Sequence, residues 1–246
     1  SRNGQGIHLD LSEDSWEIPP CDVVYVCIGE TSTERCEKNP KETGYVNVEK
    51  TIKLVKQLQD NGTYVVWIGS ERVFDGRVAF RKVNEDVCPV TEYGRQKAEA
   101  EGQLLDMGST VVRFSKVIGW EVSLFEDWIE KLQRGKEIYP YSNMAMSPMN
   151  VGFVVEVLRR VASHRLKGLY QISADRDIRY DRVAYYLANY MDADLGLIKP
   201  VEASIPHLNT TLESNLGIIG ADVPIAWETI QGWCRDRGQD ILTATR

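Results

Sequence analysis

Four strand-sized apolar runs, separated by stretches with helical periodicity, most limit what this chain can fold into. They are Asp22-Val-Val-Tyr-Val-Cys-Ile28, Tyr64-Val-Val-Trp-Ile-Gly-Ser70, Thr110-Val-Val-Arg-Phe114 and Gly168-Leu-Tyr-Gln-Ile-Ser173. The first is apolar without alternation, which predicts a strand buried on both faces. Ile7-His-Leu-Asp-Leu11 alternates and predicts a further short strand. Helical stripes fill the gaps. Tyr45, Val48, Ile52, Val55 and Leu58 mark a helix over 45–61, closed by Asn61-Gly62. Thr91–Met107, the segment around Leu124–Leu132, Val151–His164, Tyr180–Met191 and Pro224–Arg237 read as helices too. Strands alternating with helices predict a mostly parallel sheet covered on both faces. The sheet core lies within 22–114. Beyond about residue 120 the strands shorten and the loops lengthen, which predicts a smaller C-terminal lobe.

Composition narrows the function classes. A chain of 246 residues makes one large domain or two small ones. No apolar run approaches the ~18 residues of a membrane span, and residues 1–15 carry no signal-peptide pattern. The formal net charge is −7 and no Lys/Arg run interrupts it, which argues against nucleic-acid binding. Cys21, Cys27, Cys36, Cys88 and Cys234 are odd in number and never spaced C-x-x-C, and His8, His164 and His207 stand apart from them. The pattern predicts neither a metal site nor a disulfide framework. It points to a reducing cytoplasm, with the thiols serving as small buried apolar groups.

In a doubly wound sheet, ligands collect at the carboxyl ends of the strands. There the chain places Cys27-Ile28-Gly29-Glu30, Ser70-Glu71-Arg72 and Phe114-Ser115-Lys116-Val117. Tyr93 and Lys97 follow, one helical turn apart on one face. An ammonium beside a phenol favours phenolate, so this spacing predicts a Tyr93 pKa drawn from about 10 toward neutrality. Such a phenol can pass a proton to or from a substrate oxygen, and Ser70 can hydrogen-bond the same oxygen. The trio suits carbonyl reduction or alcohol oxidation with a nicotinamide cofactor.

Gly69-Ser-Glu-Arg-Val-Phe-Asp-Gly76, followed by Pro89-Val-Thr-Glu-Tyr-Gly-Arg-Gln-Lys-Ala-Glu-Ala-Glu101, resembles the extended short-chain dehydrogenase/reductase superfamily. Within it, the chain is most similar to the dTDP-4-dehydrorhamnose reductase group of sugar-nucleotide reductases. Val46-Asn47-Val48 with Thr51, Arg113-Phe-Ser-Lys-Val-Ile-Gly119, Ser147-Pro148 and Gly168–Ser173 resemble that group as well. The resemblance implies a Rossmann-like doubly wound parallel sheet, N-terminally truncated, with a small C-terminal substrate lobe. It assigns 1–119 to the core carrying the triad, and 120–246 to a mixed region, mainly substrate lobe, with a returning core strand near 168–173.

By the same resemblance, Tyr93 is the proton donor, Lys97 lowers its pKa and binds the nicotinamide ribose, and Ser70 takes the hydroxyl position. Asn47 supports the helix geometry or a water relay, or is a capping or core amide. Cys27, Ile28 and Gly29 pass close to the cofactor, Asp10 and Leu11 lie near the adenine, and Phe114, Ser115 and Val117 line the nicotinamide side. Arg2 resembles the Arg that grips a 2′-phosphate, which implies NADP(H) over NAD(H). The substrate is a nucleotide sugar, with Glu30, Arg72 and Lys116 against it, and a homodimer is a possible assembly.

The chain departs from the group at three of those places. Arg72 stands where the group has Tyr, Lys116 where it has Trp, and Glu30 in an Ala-rich turn. The two cations suit a more anionic substrate, such as a pyrophosphate or carboxylate. The superfamily's Gly-x-x-Gly-x-x-Gly turn has no counterpart, since Gly4 and Gly6 follow no strand and open no helix. Either the numbering begins inside a longer chain or the phosphate cradle is lacking. In the second case Ile7–Leu11 pairs beside Val23–Ile28. Three functions follow: an NADP(H)-dependent keto-sugar-nucleotide reductase, a non-catalytic binding relative akin to the regulatory subunits of methionine adenosyltransferase, and an epimerase or dehydratase. The Ser-x-x-Val-Phe-x-Gly context favours the reductase over the last.

Overall fold

The computed structural model describes residues 9–13, 15–215, 217 and 222–237. In chain order the elements are β1 (Val23–Val26), α1 (Thr33–Lys38), α2 (Pro40–Gly44), a π-helical stretch (Tyr45–Lys50), α3 (Thr51–Asp60), β2 (Tyr64–Ser70), a 3₁₀ turn (Glu71–Val73), α4 (Glu92–Asp106), β3 (Thr110–Phe114), β4 (Lys116–Ile118), α5 (Ser123–Gln133), β5 (Ala145–Met146), β6 (Pro148–Asn150), α6 (Val151–Ser163), β7 (Gly168–Ile172), β8 (Ile178–Arg179), α7 (Tyr180–Tyr190), a 3₁₀ turn (Leu195–Leu197) and α8 (Ala226–Asp236). The chain divides into two compact units. One holds Ser1–Asp75, Glu85–Arg113 and Leu158–Tyr170, the other Gly76–Asn84, Phe114–Val157 and Gln171–Arg246.

The first unit carries the parallel central sheet, in the order β1-β2-β3-β7. β1 runs beside β2 with Val23 opposite Tyr64 and Val26 opposite Trp67. Leu54, Val55 and Leu58 of α3 and Ala100 and Leu104 of α4 bury against Val65, Trp67 and Val111. Each Leu and Val among them contributes about 1.5–3 kcal/mol through burial. Asn61-Gly62 ends α3 with Gly62 at φ +80°, the left-handed conformation that glycine takes without strain. α4 starts where Thr91, in extended conformation, accepts the backbone N–H of Gly94 at 3.1 Å through its hydroxyl. Thr91→Ala is expected to cost about 1 kcal/mol of stability, read as a lower denaturant midpoint at unchanged slope.

The second unit holds two short ladders. β4 runs parallel to β6, with Lys116 opposite Pro148. β5 runs antiparallel to β8, with Ala145 opposite Arg179. Phe125 of α5 stacks with Trp128 at 5.9 Å and meets Trp233 of α8 edge-on at 5.3 Å. Segment 76–84 is tied to the 207–213 region, where Phe80 N–H donates to Thr211 O at 2.7 Å and Asn209 N–H to Gly76 O at 3.1 Å.

Three expectations change. Leu9–Leu11 form no strand: residues 9 and 10 are irregular and 11 enters a turn, while Ile7 and His8 lie outside the described residues. The Asp10 carboxylate accepts Ser12 N–H at 2.8 Å, and Asp10 O accepts the indole N–H of Trp16 at 2.6 Å, so side chains take the place of a ladder. The 22–28 run is not covered on both faces, because Tyr25, Cys27 and Ile28 are exposed and β1 is an edge of the described sheet. An apolar run reports strand propensity, not which faces find cover. Of the five thiols, Cys36 and Cys234 are buried, Cys88 is half-buried, and Cys21 and Cys27 are exposed. No helix among the described residues is long and apolar enough to cross a membrane.

Candidate functional site

β2 and α4 of the first unit bring Ser70, Tyr93 and Lys97 together. Ser70 is the last residue of β2, and Tyr93 sits in the first turn of α4. Close backbone approach fixes their juxtaposition. A Cβ on Gly94 would lie 2.3 Å from Arg72 O, so only glycine lets the start of α4 settle on the turn after β2. Ser70 is buried; its hydroxyl donates to Glu71 Oε2 at 2.9 Å and accepts Arg72 N–H at 3.2 Å. The Tyr93 phenol lies near enough for Ser70, Glu71 and Arg72 to act on its charge. Lys97 Nζ donates to Ile68 O at 3.0 Å, lies 4.3 Å from the centre of the Trp67 ring and 6.0 Å from that of Tyr93.

The electrostatics run opposite to the expectation from spacing. Burial pushes the Tyr93 phenol up to about 12, and the Glu71 carboxylate pushes the same way. Ser70 and Arg72 pull it down but are outweighed. Burial also depresses Lys97, to about 8, against the opposing pull of Cys27 and Glu101. The ammonium is engaged by a carbonyl and an indole face. The i,i+4 rule gives neighbourhood, not the partner each head group selects.

Asn47 lies in the π-helical stretch and is buried. Its amide accepts Glu30 N–H at 2.7 Å and donates to Glu30 O at 3.0 Å and Gln96 Oε1 at 2.8 Å. Gln96 in turn donates to Thr43 Oγ1 at 2.9 Å. Asn47 thus clamps the loop after β1 to α4, next to Lys97. Gly29, at φ +138°, admits the clamp, since a Cβ there would meet Asn47 Oδ1 at 2.8 Å. π-Helical turns recur at functional sites.

Residues 14–210 match the model of the RmlD substrate binding domain family. The chain belongs to this family. It therefore falls in the RmlD-like reductase/epimerase superfamily. Methionine adenosyltransferase 2 subunit beta of Bos taurus is 24% identical over 195 residues, 74% of this chain and 58% of that one. A probable low-salt glycan biosynthesis reductase of Haloferax volcanii is 22% identical over 187 residues, 72% of this chain and 62% of that one. The RmlD-type chain thus spans about six-tenths of the length of these relatives. The dTDP-4-dehydrorhamnose reductase of Bacillus anthracis, solved in complex with NADP, shares the fold with a TM-score of 0.78 at 18% identity, covering 87% of this chain and 80% of that one.

The other expected site residues of this RmlD-type chain fall in three places. Asp10, Leu11, Ile28, Gly29 and Glu30 line one cavity of about 680 Å³ in the first unit. Glu30 is ion-paired there to Arg35 at 2.9 Å, and Arg35 also bonds Glu42 at 2.8 Å. Arg72 joins the Ser70 and Tyr93 group, with Nε 3.4 Å from Glu71 Oε1. Phe114, Ser115, Lys116 and Val117 belong to the second unit. In it Ser115 Oγ donates to Ser147 O at 2.6 Å, Phe114 is buried and Lys116 is exposed. Arg2 lies outside the described residues. Sequence reasoning missed Gln96 and the glycine requirement at 94. The Tyr-Gly-x-Gln-Lys order held both signals: a glycine in a first turn and a long amide beside the lysine.

Proposed function

We propose that this chain is a nicotinamide-dependent reductase of a keto sugar nucleotide. The observation that carries the reading is the convergence of Ser70, Tyr93 and Lys97 at the carboxyl end of β2. Tyr93 donates the proton to the carbonyl oxygen as the carbon is reduced. Ser70 sets the phenol's direction, and Lys97, held by Ile68 O and the Trp67 face, presents its ammonium to ribose hydroxyls. One relative named a probable reductase, and the fold shared with a reductase solved with NADP, support the class.

The described residues fit the adenosine part of a dinucleotide and offer its pyrophosphate no glycine-rich turn. A cavity of about 680 Å³ is within the usual range of ligand sites, and Gly29 offers bare backbone at its wall. Asp10 and Leu11 would hold the adenosine, Ile28 and Gly29 its backbone-facing edge. The cofactor, when bound, supplies the hydride. NADP(H) over NAD(H) rests on Arg2. Substrate selection is assigned to Arg72, beside Ser70 and Glu71.

Titration with NADPH or NADH, followed by quenching of the six Trp residues, checks the reading. Saturable binding below the millimolar range is expected. Absence of binding to either would sink the reductase.

One set of observations favours a second reading, a non-catalytic binding subunit. The phenol is raised rather than lowered, the Lys97 amine already has partners, and a relative is a methionine adenosyltransferase subunit. This reading expects dinucleotide binding with no turnover of any keto sugar nucleotide.

A further inference from the structure

The cavity lined by Asp10, Leu11, Ile28, Gly29 and Glu30 is acidic. Three carboxylates line it, Asp10, Glu30 and Glu42, against one cation, Arg35. A dinucleotide brings an anionic pyrophosphate to such a cavity, and the sequence offers it no glycine-rich turn. Among the lining side chains, only Arg35 brings positive charge to meet it.

Arg35 is already aimed. It lies on α1, and its guanidinium bridges two carboxylates, with Nη1 2.9 Å from Glu30 Oε2 and Nη2 donating to Glu42 Oε1 at 2.8 Å. Neither contact uses Nε, and a guanidinium carries more N–H groups than two contacts occupy. The two carboxylates are held unequally. Glu30 is 21% exposed, its other oxygen accepts Ser32 N–H at 2.8 Å, and Asn47 grips its backbone at both N–H and C=O. Glu42, from α2, is 62% exposed and within reach of water. An exposed ion pair adds little stability, so exchanging Glu42 for a ligand phosphate costs little.

We propose that Arg35 binds the pyrophosphate of an adenine dinucleotide in this cavity, displacing Glu42 while Glu30 keeps the guanidinium in place. This role rests on the dinucleotide reading above but not on turnover, and it supplies a cation where the glycine-rich turn is lacking. The guanidinium fork matches phosphate oxygens as it matches a carboxylate, and such a charge-assisted bond is stronger than a neutral one. No covalent bond forms or breaks. Departure of Glu42 also takes a like charge away from the phosphates. Glu42 is thus a competitor built into the site. Its removal should strengthen phosphate binding, where removal of Arg35 weakens it.

Isothermal titration calorimetry of the full chain with adenosine, ADP, NADH and NADPH tests the role without turnover. The wild type should bind ADP more tightly than adenosine. Arg35→Met should weaken ADP and the dinucleotides by about tenfold or more and leave adenosine unchanged. Glu42→Gln should tighten ADP by about twofold to fivefold, again with adenosine unchanged. ADP affinity that is unchanged in Arg35→Met, or not raised in Glu42→Gln, overturns the Arg35 role alone, as does a wild type that binds adenosine as tightly as ADP. If Arg35→Met does not fold, Glu42→Gln decides, since it alters an exposed side chain. A wild type that binds neither NADH nor NADPH overturns the dinucleotide reading and the Arg35 role with it.

Discussion

Tyr93→Phe leaves dinucleotide binding in place and removes turnover, a fall in kcat of about 10²–10⁴-fold, the usual worth of a positioned general acid. The phenol oxygen is the one atom lost. The ring that stands 6.0 Å from the Lys97 ammonium stays, so the packing of α4 on the strand end is kept. A phenol held near 12 is protonated throughout the neutral range and serves as a proton donor there. Reduction is therefore expected to be flat in pH until the ammonium titrates. Lys97 sits near 8, so it carries its charge below that value and loses it above. Ribose binding through Lys97 should weaken as pH rises through about 8, read as a rising KM for the dinucleotide while kcat of the bound complex holds. Loss of binding in Tyr93→Phe would instead make the residue a structural one. The same two shifts act on folding with opposite signs. The raised Tyr93 supports the folded state below pH 10 and loses that support as pH climbs to about 12. The lowered Lys97 withdraws support as pH falls from 10.5 to about 8.

The strand and helix pattern was legible because periodicity is a property of the chain itself. β2 occupies Tyr64–Ser70, as its apolar run predicts, and α4 lies within the helix marked by Thr91 and Gly108. Ser70, Tyr93 and Lys97 could be proposed as a group because a strand end and a helix start are places the pattern locates. What the pattern could not carry was the choice of partner. Lys97 selects Ile68 O and Trp67, and Ser70 selects Glu71 rather than holding its proton for a substrate. Those choices depend on ångström-scale approach, set by the absence of a Cβ at Gly94 and by the Asn47 clamp. The short ladders β4 with β6 and β5 with β8 were likewise invisible, since two or three residues are too few to show a period.

Glu101→Gln is expected to cost about 3–5 kcal/mol of stability, the range for leaving one member of a buried ion pair alone. Glu101 lies one turn beyond Lys97 on α4, and Arg113 lies on β3. Their side chains are 4% and 2% exposed. The contact is two-pronged, Arg113 Nε to Glu101 Oε2 at 2.8 Å and Nη2 to Oε1 at 2.5 Å, the geometry that matches a planar guanidinium to a carboxylate. The guanidinium also lies 5.0 Å from the centre of the Phe74 ring, and its stem presses on Gly69, where a Cβ would come within 3.2 Å of Arg113 Cγ. Neutralising the carboxylate removes the opposite charge from a guanidinium that is 2% exposed. Replacing both members, Glu101→Leu with Arg113→Met, removes the stranded charge and should recover most of the loss, because a packed apolar pair needs no compensation. Denaturant melts of the two variants separate charge from shape. If the double variant is as unstable as the single one, packing around Phe74 and Gly69 holds this region, and the ion pair adds little. The single variant carries a second mark: Glu101 raises the pKa of Lys97, so its loss should move the alkaline limit of dinucleotide binding below about 8. A buried pair that ties α4 to β3 therefore supports the sheet and, through a neighbour one turn away, keeps the site's lysine charged at neutral pH.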